Sequence, residues 1–271
     1  MRYVCASLIV AGLGCGNAER STPVPPAEPT APAAALTAPW SMSATSQEFG
    51  VAVGPLDRIE LDSTGALHHQ LGELDFGSWQ VPTDALALIA TQLGSHELAK
   101  QNDVPARGEG VQYQLAWHSP AGDRKLDLAG ELPAAVAPIY KALDDHLRAH
   151  NRAELAALGP FSVELTTSFE LADNTKVETL IVDQTGVVRQ LRGGVEVAHR
   201  DVSPERMAYI ATLVRLPAPA APPAAVDHPV KLVITRGAKQ QTIATDRRSM
   251  PPAMSFLYNE LYSERAAFPS R

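Results

Sequence analysis

Two short motifs, one in each half of the chain, place an aspartate ahead of a threonine and a glycine. Asp62 precedes Ser63-Thr64-Gly65, and Asp183 precedes Gln184-Thr185-Gly186. An aspartic protease uses one carboxylate from each half, and the two carboxylates share a proton. In the protease motif, however, the Asp directly precedes Thr-Gly or Ser-Gly. The spacing here favours a turn, in which the carboxylate accepts backbone N–H bonds and the glycine supplies a positive φ.

A second candidate for chemistry is a pair of histidines, His146 and His150, in a stretch with helical periodicity. Their spacing of i, i+4 puts both imidazoles on one helix face, as in some metal sites. No third ligand is evident, and a solvated helix C-terminus, where Arg148 and Arg152 complement the helix dipole, accounts for the pair without a metal. We therefore expect no catalytic residue, no metal and no cofactor. A metal-dependent hydrolase using His146 and His150 is the alternative.

The remaining side chains of chemical interest are expected to have structural roles. Past the leader the sequence has no Gly-x-Ser-x-Gly elbow, phosphate-binding Gly-Lys loop or dinucleotide-binding Gly-x-Gly-x-x-Gly motif. Aromatic side chains on strands, such as Trp79 and Trp117, are more often core than a binding platform. The other assignments are exposed strand or loop positions for His68, His69 and His118, helix packing for Tyr140 and Tyr258, and a turn at Gly193-Gly194.

The composition limits the classes of protein to be considered. The chain has 271 residues, of which 45% are hydrophobic, and 23 Lys and Arg against 30 Asp and Glu give a net charge of −7. These values indicate a globular protein of one or two domains, and the lack of a basic cluster argues against nucleic-acid binding. Beyond the N-terminus no apolar run is long enough to span a bilayer, which argues against an integral membrane protein.

The N-terminus has the features of a secretory signal. Arg2 is followed by an apolar or small stretch, Tyr3–Gly14, that is too short for a transmembrane helix. The segment Ala11-Gly12-Leu13-Gly14-Cys15 resembles the lipobox of bacterial lipoproteins, although Gly12 stands where that family usually has Leu. The resemblance implies a signal peptide over residues 1–14 and a palmitate-bearing lipid at Cys15.

The cysteine count and the segment that follows agree with this assignment. Cys5 and Cys15 are the only two cysteines, so the body of the chain has no disulfide. Residues 15–46 are rich in Pro and Ala and are expected to form an extended tether. These features predict a lipid-anchored protein of the bacterial cell envelope, at the outer membrane or the cell surface. Plain secretion with cleavage after Ala18, giving a secreted or periplasmic protein, is the alternative.

The body of the chain contains an internal repeat. The motif Asp62–Gly65 recurs as Asp183–Gly186, and Ile89-Ala90-Thr91 recurs as Ile210-Ala211-Thr212, both at an offset of 121 residues (183 − 62 and 210 − 89). Leu132–Val136 then corresponds to Met250–Met254 at an offset of 118 (251 − 133). The body of the chain is therefore predicted to consist of two copies of one module.

Each copy combines strand and helix patterns. Val111–Trp117 alternates with the period of a half-buried strand, whereas Leu86–Leu93 places its apolar residues on one helix face. Ser203 and Thr83 are the predicted N-caps of the first helix in the second and first copies. We predict an α+β fold in which each copy is an antiparallel sheet of about five strands with two helices on one face, in the order βββαββα. The predicted boundaries are 47–150 for the first repeat, 151–160 for a connector and 161–271 for the second repeat.

Each copy also resembles the emfourin-type domains, small bacterial inhibitors of thermolysin-like metallopeptidases. The resemblance rests on Ser203-Pro204-Glu205 opening the first helix, on Tyr113-x-Leu115, and on Leu132–Val136 or Met250–Met254 opening the last helix. It covers most of residues 48–148 and 161–265, although the family's Gly-Gly-Phe-x-Gly hairpin is missing from both copies. It implies the same fold and an inhibitory function.

Together these observations predict a non-catalytic cell-envelope lipoprotein that binds another protein, with protease inhibition as the sharpest version. The partner is not identified, the membrane is contacted through the N-terminal lipid, and no nucleic acid is involved. The alternatives are the metal-dependent hydrolase and a purely structural envelope component.

Overall fold

The computed structural model describes residues 35–36, 38–50, 53–105, 108–171, 174–216, 229–246, 250–266 and 268. The predicted signal segment, Cys15 and the tether as far as residue 34 lie outside the described residues. None of the helices in the described part of the chain is long and apolar enough to cross a membrane.

The first half forms one sheet and three helices. In chain order they are β1 (Ser41–Phe49), β2 (Asp57–Asp62), β3 (Ala66–Leu71), β4 (Leu74–Gln80), α1 (Thr83–Leu93), α2 (His96–Lys100), β5 (Gly110–Ser119), β6 (Gly122–Ala129) and α3 (Ala137–Leu158). All neighbouring strands are antiparallel, in the spatial order β4-β3-β2-β1-β5-β6. One face of the sheet buries Met42, Leu61 and Leu115 against the apolar stripes of α1 and α3. The other face, called the open face below, carries the alternate side chains of the same strands.

The second half repeats this topology. Its elements are β7 (Phe161–Leu171), β8 (Asn174–Asp183), β9 (Val187–Arg192), β10 (Val195–Asp201), α4 (Pro204–Arg215), β11 (Pro229–Arg236), β12 (Lys239–Asp246) and α5 (Pro252–Ala266). The strand order is β10-β9-β8-β7-β11-β12. Met42 pairs with Leu61 as Val163 pairs with Val182, so β1 and β2 correspond to β7 and β8 at an offset of 121 (163 − 42 and 182 − 61). The α+β class and the two similar halves are therefore confirmed.

Each sheet has a sixth strand, β4 or β10, that the sequence pattern did not include. Both are edge strands and both contain a bulge. Phe76 has no cross-strand partner between Asp75 and Gly77, and Val197 has none between Glu196 and Ala198. A bulge inserts one residue and breaks the period-two alternation on which strand prediction depends.

The predicted tether ends too late. Residues 41–46 do not continue a tether but belong to β1, which starts at Ser41 and lies in the middle of the first sheet. Trp40 is buried next to it, and the backbone N–H of Leu36 donates to the carbonyl of Ala90 at 3.0 Å. Met42 and Ala44 alternate into the core, which is a strand pattern among small and polar residues that is easily missed.

The predicted connector, residues 151–160, is largely helical. The helix α3 continues to Leu158, because no residue between His150 and Leu158 interrupts it. It ends at Gly159, whose φ of +70° is left-handed, directly before Pro160. His146 and His150 therefore lie in the middle of α3 rather than at a solvated C-terminus.

The two predicted N-caps have different outcomes. The Ser203 hydroxyl accepts a hydrogen bond from the backbone N–H of Arg206 at 3.3 Å, which confirms it as the cap of α4. Thr83 is not a cap, because α1 already includes it and Pro82 holds the cap position with φ −57° and ψ 146°. Proline has no side-chain acceptor, so the start of α1 has no side-chain cap.

The two halves contact each other along α3 and α4. Asn151 on α3 accepts a hydrogen bond from the Thr212 hydroxyl at 3.1 Å, and Glu154 forms an ion pair with Arg215. Leu74 of β4 is buried in the hydrophobic core of the second half, and the last apolar residues of α3 pack against the same core. The first half therefore contributes side chains to the core of the second.

Candidate functional site

The two Asp motifs form turns. The Asp62 carboxylate accepts from the backbone N–H of Thr64 at 2.8 Å and from the Thr64 hydroxyl at 2.5 Å. Gly65 closes the turn with a φ of +87°, and Asp183 makes the same contacts with Thr185. The Thr64 hydroxyl bond is the main cause that holds the pKa of Asp62 below its usual value. In a proton-sharing dyad the pKa of one of the two carboxyls is instead raised.

Trp79 contacts both histidines of the pair on α3. The indole N–H of Trp79 donates to Nε2 of His146 at 3.0 Å. The Trp79 ring stacks on His150 with centroids 3.8 Å apart and planes 3° from parallel. An indole N–H can only donate, so Nε2 of His146 must be unprotonated and the ring must carry its proton on Nδ1. The His146 nitrogen that faces the sheet is therefore engaged by the indole.

His69 joins this group, which corrects its assignment as an exposed residue. It stacks on Phe76 with centroids 4.8 Å apart and meets the edge of Trp79 at 6.4 Å. Its Nε2 lies 2.9 Å from the Asp57 carboxylate. Leu67, His69 and Leu71 alternate along β3, so His69 faces the helix side. The side chains of His69, Phe76, Trp79, His146 and His150 are called the imidazole–indole cluster below.

Burial keeps the two α3 histidines neutral. It lowers the pKa of His146, and it is also the main cause that lowers the pKa of His150. The positive charge of Arg215 and the neighbouring His146 and His69 add to the effect on His150. Among the described residues no group of three or more His, Cys, Asp or Glu side chains is arranged to hold a metal ion. The predicted pair is thus brought together with Trp79, and through it with Phe76 and His69.

The second half has polar pairs at the same positions but with different chemistry. Arg200 and Glu264 stand at the places of Trp79 and His146 (200 − 79 is 121 and 264 − 146 is 118), and Arg200 Nε lies 2.9 Å from the Glu264 carboxylate. A buried hydrogen bond from Gln190 to Glu178 likewise takes the place of the His69–Asp57 contact. In both halves these pairs join the outer strands of the sheet or tie its edge strand to the last helix. These pairs therefore have a structural role.

The open face of the first sheet contains a depression of about 810 Å³. Its floor is made of small side chains of the central strands, with Ser43 opposite both Glu60 and Ala116. Its rim carries charged and imidazole side chains of β2, β3, β5 and β6. The rim residues that line the depression are Glu60, Asp62, His68, His118, Asp123, Arg124 and Lys125.

The two floor positions are filled by larger side chains in the second half. Glu164 corresponds to Ser43 at the offset of 121, because Val163 next to it corresponds to Met42. Val233 corresponds to Ala116 (233 − 116 is 117), because Ile234 pairs with Val163 as Trp117 pairs with Met42. The two copies therefore differ at this surface, although they share the fold.

The other residues considered from the sequence have structural roles. The Tyr140 hydroxyl donates to the carbonyls of Thr45 and Gln114 at 3.1 and 2.8 Å, which confirms packing at that position. Trp117 is buried in the core, and Gly193-Gly194 forms the turn between β9 and β10. Trp79, in contrast, is only partly buried because it sits at the rim of the core beside α3.

Comparisons of the chain with protein-family models, with curated proteins and with solved structures find no match.

Proposed function

We propose that this protein is a non-catalytic, lipid-anchored protein of the bacterial cell envelope that binds another protein through the open face of its first sheet. In the most specific form of this proposal, the bound protein is a thermolysin-like metallopeptidase, which is inhibited. The observation that carries the proposal is the depression on this face, with a floor of small side chains and a charged rim.

The size of the open face supports a protein partner. Six strands at about 4.8 Å spacing make a sheet roughly 24 Å wide, and strands of six to ten residues extend about 25 Å on average. The resulting area of roughly 600 Å² is about three quarters of the 800 Å² or so that each partner contributes to a standard protein–protein interface. The mixture of Glu60 and Asp123 with Lys125 on the rim offers polar complementarity to such a partner.

The contacts of the aspartate and histidine candidates also favour binding over catalysis. Asp62 and Asp183 use their carboxylates to close turns. His146 accepts from Trp79, and His150 is covered by the same indole. These side chains are engaged in contacts within the fold, which supports a structural role for each of them.

The test of binding is a titration of the purified protein into a thermolysin-like metallopeptidase. The matched variant is the double substitution Ser43→Gln and Ala116→Val, which enlarges the floor side chains as in the second half without placing a second carboxylate opposite Glu60. We expect the wild-type protein to inhibit at micromolar concentration and the double variant to inhibit at least tenfold more weakly. Undiminished peptidase activity at high micromolar wild-type protein would remove the inhibitor version, and equal inhibition by the variant would remove the open face as the surface used.

Anchoring is tested separately by palmitate labelling and membrane fractionation. We expect Cys15→Ala to abolish labelling and to release the protein from the membrane fraction, because the lipid is attached to this thiol. The matched control is Cys5→Ala, which should leave both unchanged. Membrane association that persists in Cys15→Ala without label would contradict the anchor.

A further inference from the structure

The imidazole–indole cluster holds together two elements of the first half that both reach the second half. These elements are β4, which carries Phe76 and Trp79, and α3, which carries His146 and His150. Trp79 joins them through its hydrogen bond to His146 and its stacking on His150. Phe76 stacks on His69 within the cluster and also packs against the hydrophobic core of the second half. The cluster therefore borders directly on the junction of the two halves.

The contacts of α3 with α4 begin one residue after the cluster. Asn151 follows His150 in the chain and accepts a hydrogen bond from the Thr212 hydroxyl at 3.1 Å. Glu154 lies one helical turn beyond His150, on the same helix face, and forms an ion pair with Arg215 of α4. A change of charge at His150 therefore acts within a single turn of the contact between α3 and α4.

The groups around the two α3 histidines oppose a proton on either of them. His146 accepts from an indole N–H, so protonation of its Nε2 would bring two N–H donors against each other. A positive charge on His150 is opposed by Arg215 from α4, by His146 from the same helix and by His69 from β3. The Asp57 carboxylate, from β2, contacts His69. The contacts across the cluster are therefore made by neutral imidazoles.

We propose that the imidazole–indole cluster is an acid-sensitive switch, which joins the two halves when His146 and His150 are neutral and opens their contact when both are protonated. Protonation removes the acceptor for the Trp79 N–H. It also places a second cation beside Arg215, and the two cations then compete for the Glu154 carboxylate. The open state takes up these protons near the ordinary histidine pKa of about 6.5, so its population grows as the pH falls below that value.

The test measures the exposure of position 74, because Leu74 is only 7% exposed and is buried in the core of the second half. Leu74→Cys is made in the full chain with Cys5→Ser and Cys15→Ser, so that one thiol alone reacts with a dithiodipyridine reagent. Val195→Cys in the same chain is the matched reference, because Val195 is the equivalent residue of the second half (195 − 74 is 121) and is 66% exposed. The ratio of the two labelling rates corrects for the effect of pH on the reagent.

We expect this ratio to rise at least about tenfold between about pH 7.5 and pH 5, because each pKa unit by which the joined state opposes a proton corresponds to a factor of ten. The circular dichroism spectrum should be retained at both pH values, since the contact opens without unfolding of the chain. With His146→Gln and His150→Phe also present, the ratio should not change with pH. Neither new side chain titrates, and both can keep their contacts with Trp79.

Two substitutions at Thr212 complete the experiment. Thr212→Cys is a second reporter, at a residue of α4 that is 8% exposed and bonded to α3, and its labelling should show the same dependence on pH. Thr212→Val, combined with Leu74→Cys, removes the bond to Asn151 without involving a titratable group. It should raise the ratio by the same factor at both pH values. A ratio that does not rise in acid, a rise that persists in the double histidine variant, or exposure accompanied by loss of the circular dichroism signal would each overturn the proposal.

Discussion

Trp79 touches two histidines in different ways, and only one of these contacts depends on a proton. Its hydrogen bond to His146 requires a bare Nε2, so protonation of His146 removes the acceptor. Its stacking on His150 does not require a neutral ring, but Arg215 and His69 lie close enough to oppose a positive charge there. Protonation of either residue is therefore unfavourable in the folded protein.

This arrangement predicts a loss of stability in mild acid. The folded-state pKa values of His146 and His150 are lowered, so the unfolded chain binds more protons than the folded one once the pH falls below the unfolded pKa of about 6.5. The stabilisation is complete above that pH and is lost as the pH falls toward the folded-state pKa values. We expect the free energy of unfolding, measured with urea, to decrease between about pH 7 and pH 5.

The double variant His146→Gln and His150→Phe isolates the cause. Glutamine still offers an acceptor to the indole N–H and phenylalanine still stacks on it, but neither titrates. The decrease in stability between pH 7 and pH 5 should therefore be smaller than in the wild type. Leu56→Ala, at an exposed position without a titratable group, is the control and should keep the wild-type slope. An unchanged slope in the double variant would show that the cluster does not cause the effect.

At the scale of single elements, the duplication preserved the helices but not their start signals. The first turn of α4 has Ser203 as a cap and Glu205 near the positive end of the helix. The first turn of α1 begins after Pro82 with no side-chain acceptor. The difference arises because Pro82 orients the chain into the helix without a cap, while Thr83 is already helical.

Substitutions at the two positions should therefore have unequal effects. Ser203→Ala removes the acceptor for the Arg206 N–H and should lower the free energy of unfolding by about 1 kcal/mol. Thr83→Ala is the matched control and should change it by less than about 0.5 kcal/mol. Both are measured by urea denaturation. Equal effects would mean that the Ser203 hydroxyl does not act as a cap.

At the scale of the whole molecule, the two modules are not structurally independent of each other. The helix α3 extends past its own sheet and lies along α4, and Leu74 reaches the core of the second half. A change in the first module can therefore destabilise the second. The equivalent of Leu74 in the second module, Val195, makes no such contribution to a core because it is exposed.

The coupling is tested by comparing these equivalent positions. Leu74→Ala should lower the free energy of unfolding by about 2–3 kcal/mol, because it leaves a cavity where the halves meet. Val195→Ala should change it by less than about 0.5 kcal/mol. Both are measured by urea denaturation. A small effect of Leu74→Ala would place Leu74 outside the second core.

Only part of the imidazole–indole cluster could be predicted from the sequence. The spacing of His146 and His150 predicted a shared helix face, and the alternation of Leu67, His69 and Leu71 contained the signal that His69 faces inward. The approach of Trp79 had no such signal, because it joins residues 67 positions apart in the chain. The depression was also not foreseen, since it depends on which small side chains become neighbours across strands.

The amino-acid sequence determines the duplication, the α+β class and the turns at Asp62 and Asp183, because periodicity and turn chemistry act over a few neighbouring residues. It does not determine at which equivalent positions the two modules differ in burial and contacts. The sixth strands, the extension of α3, the burial of Leu74 and the exposure of Val195 were decided by tertiary packing. The reason is physical: equivalent positions with similar side chains differ only in what the rest of the molecule brings against them.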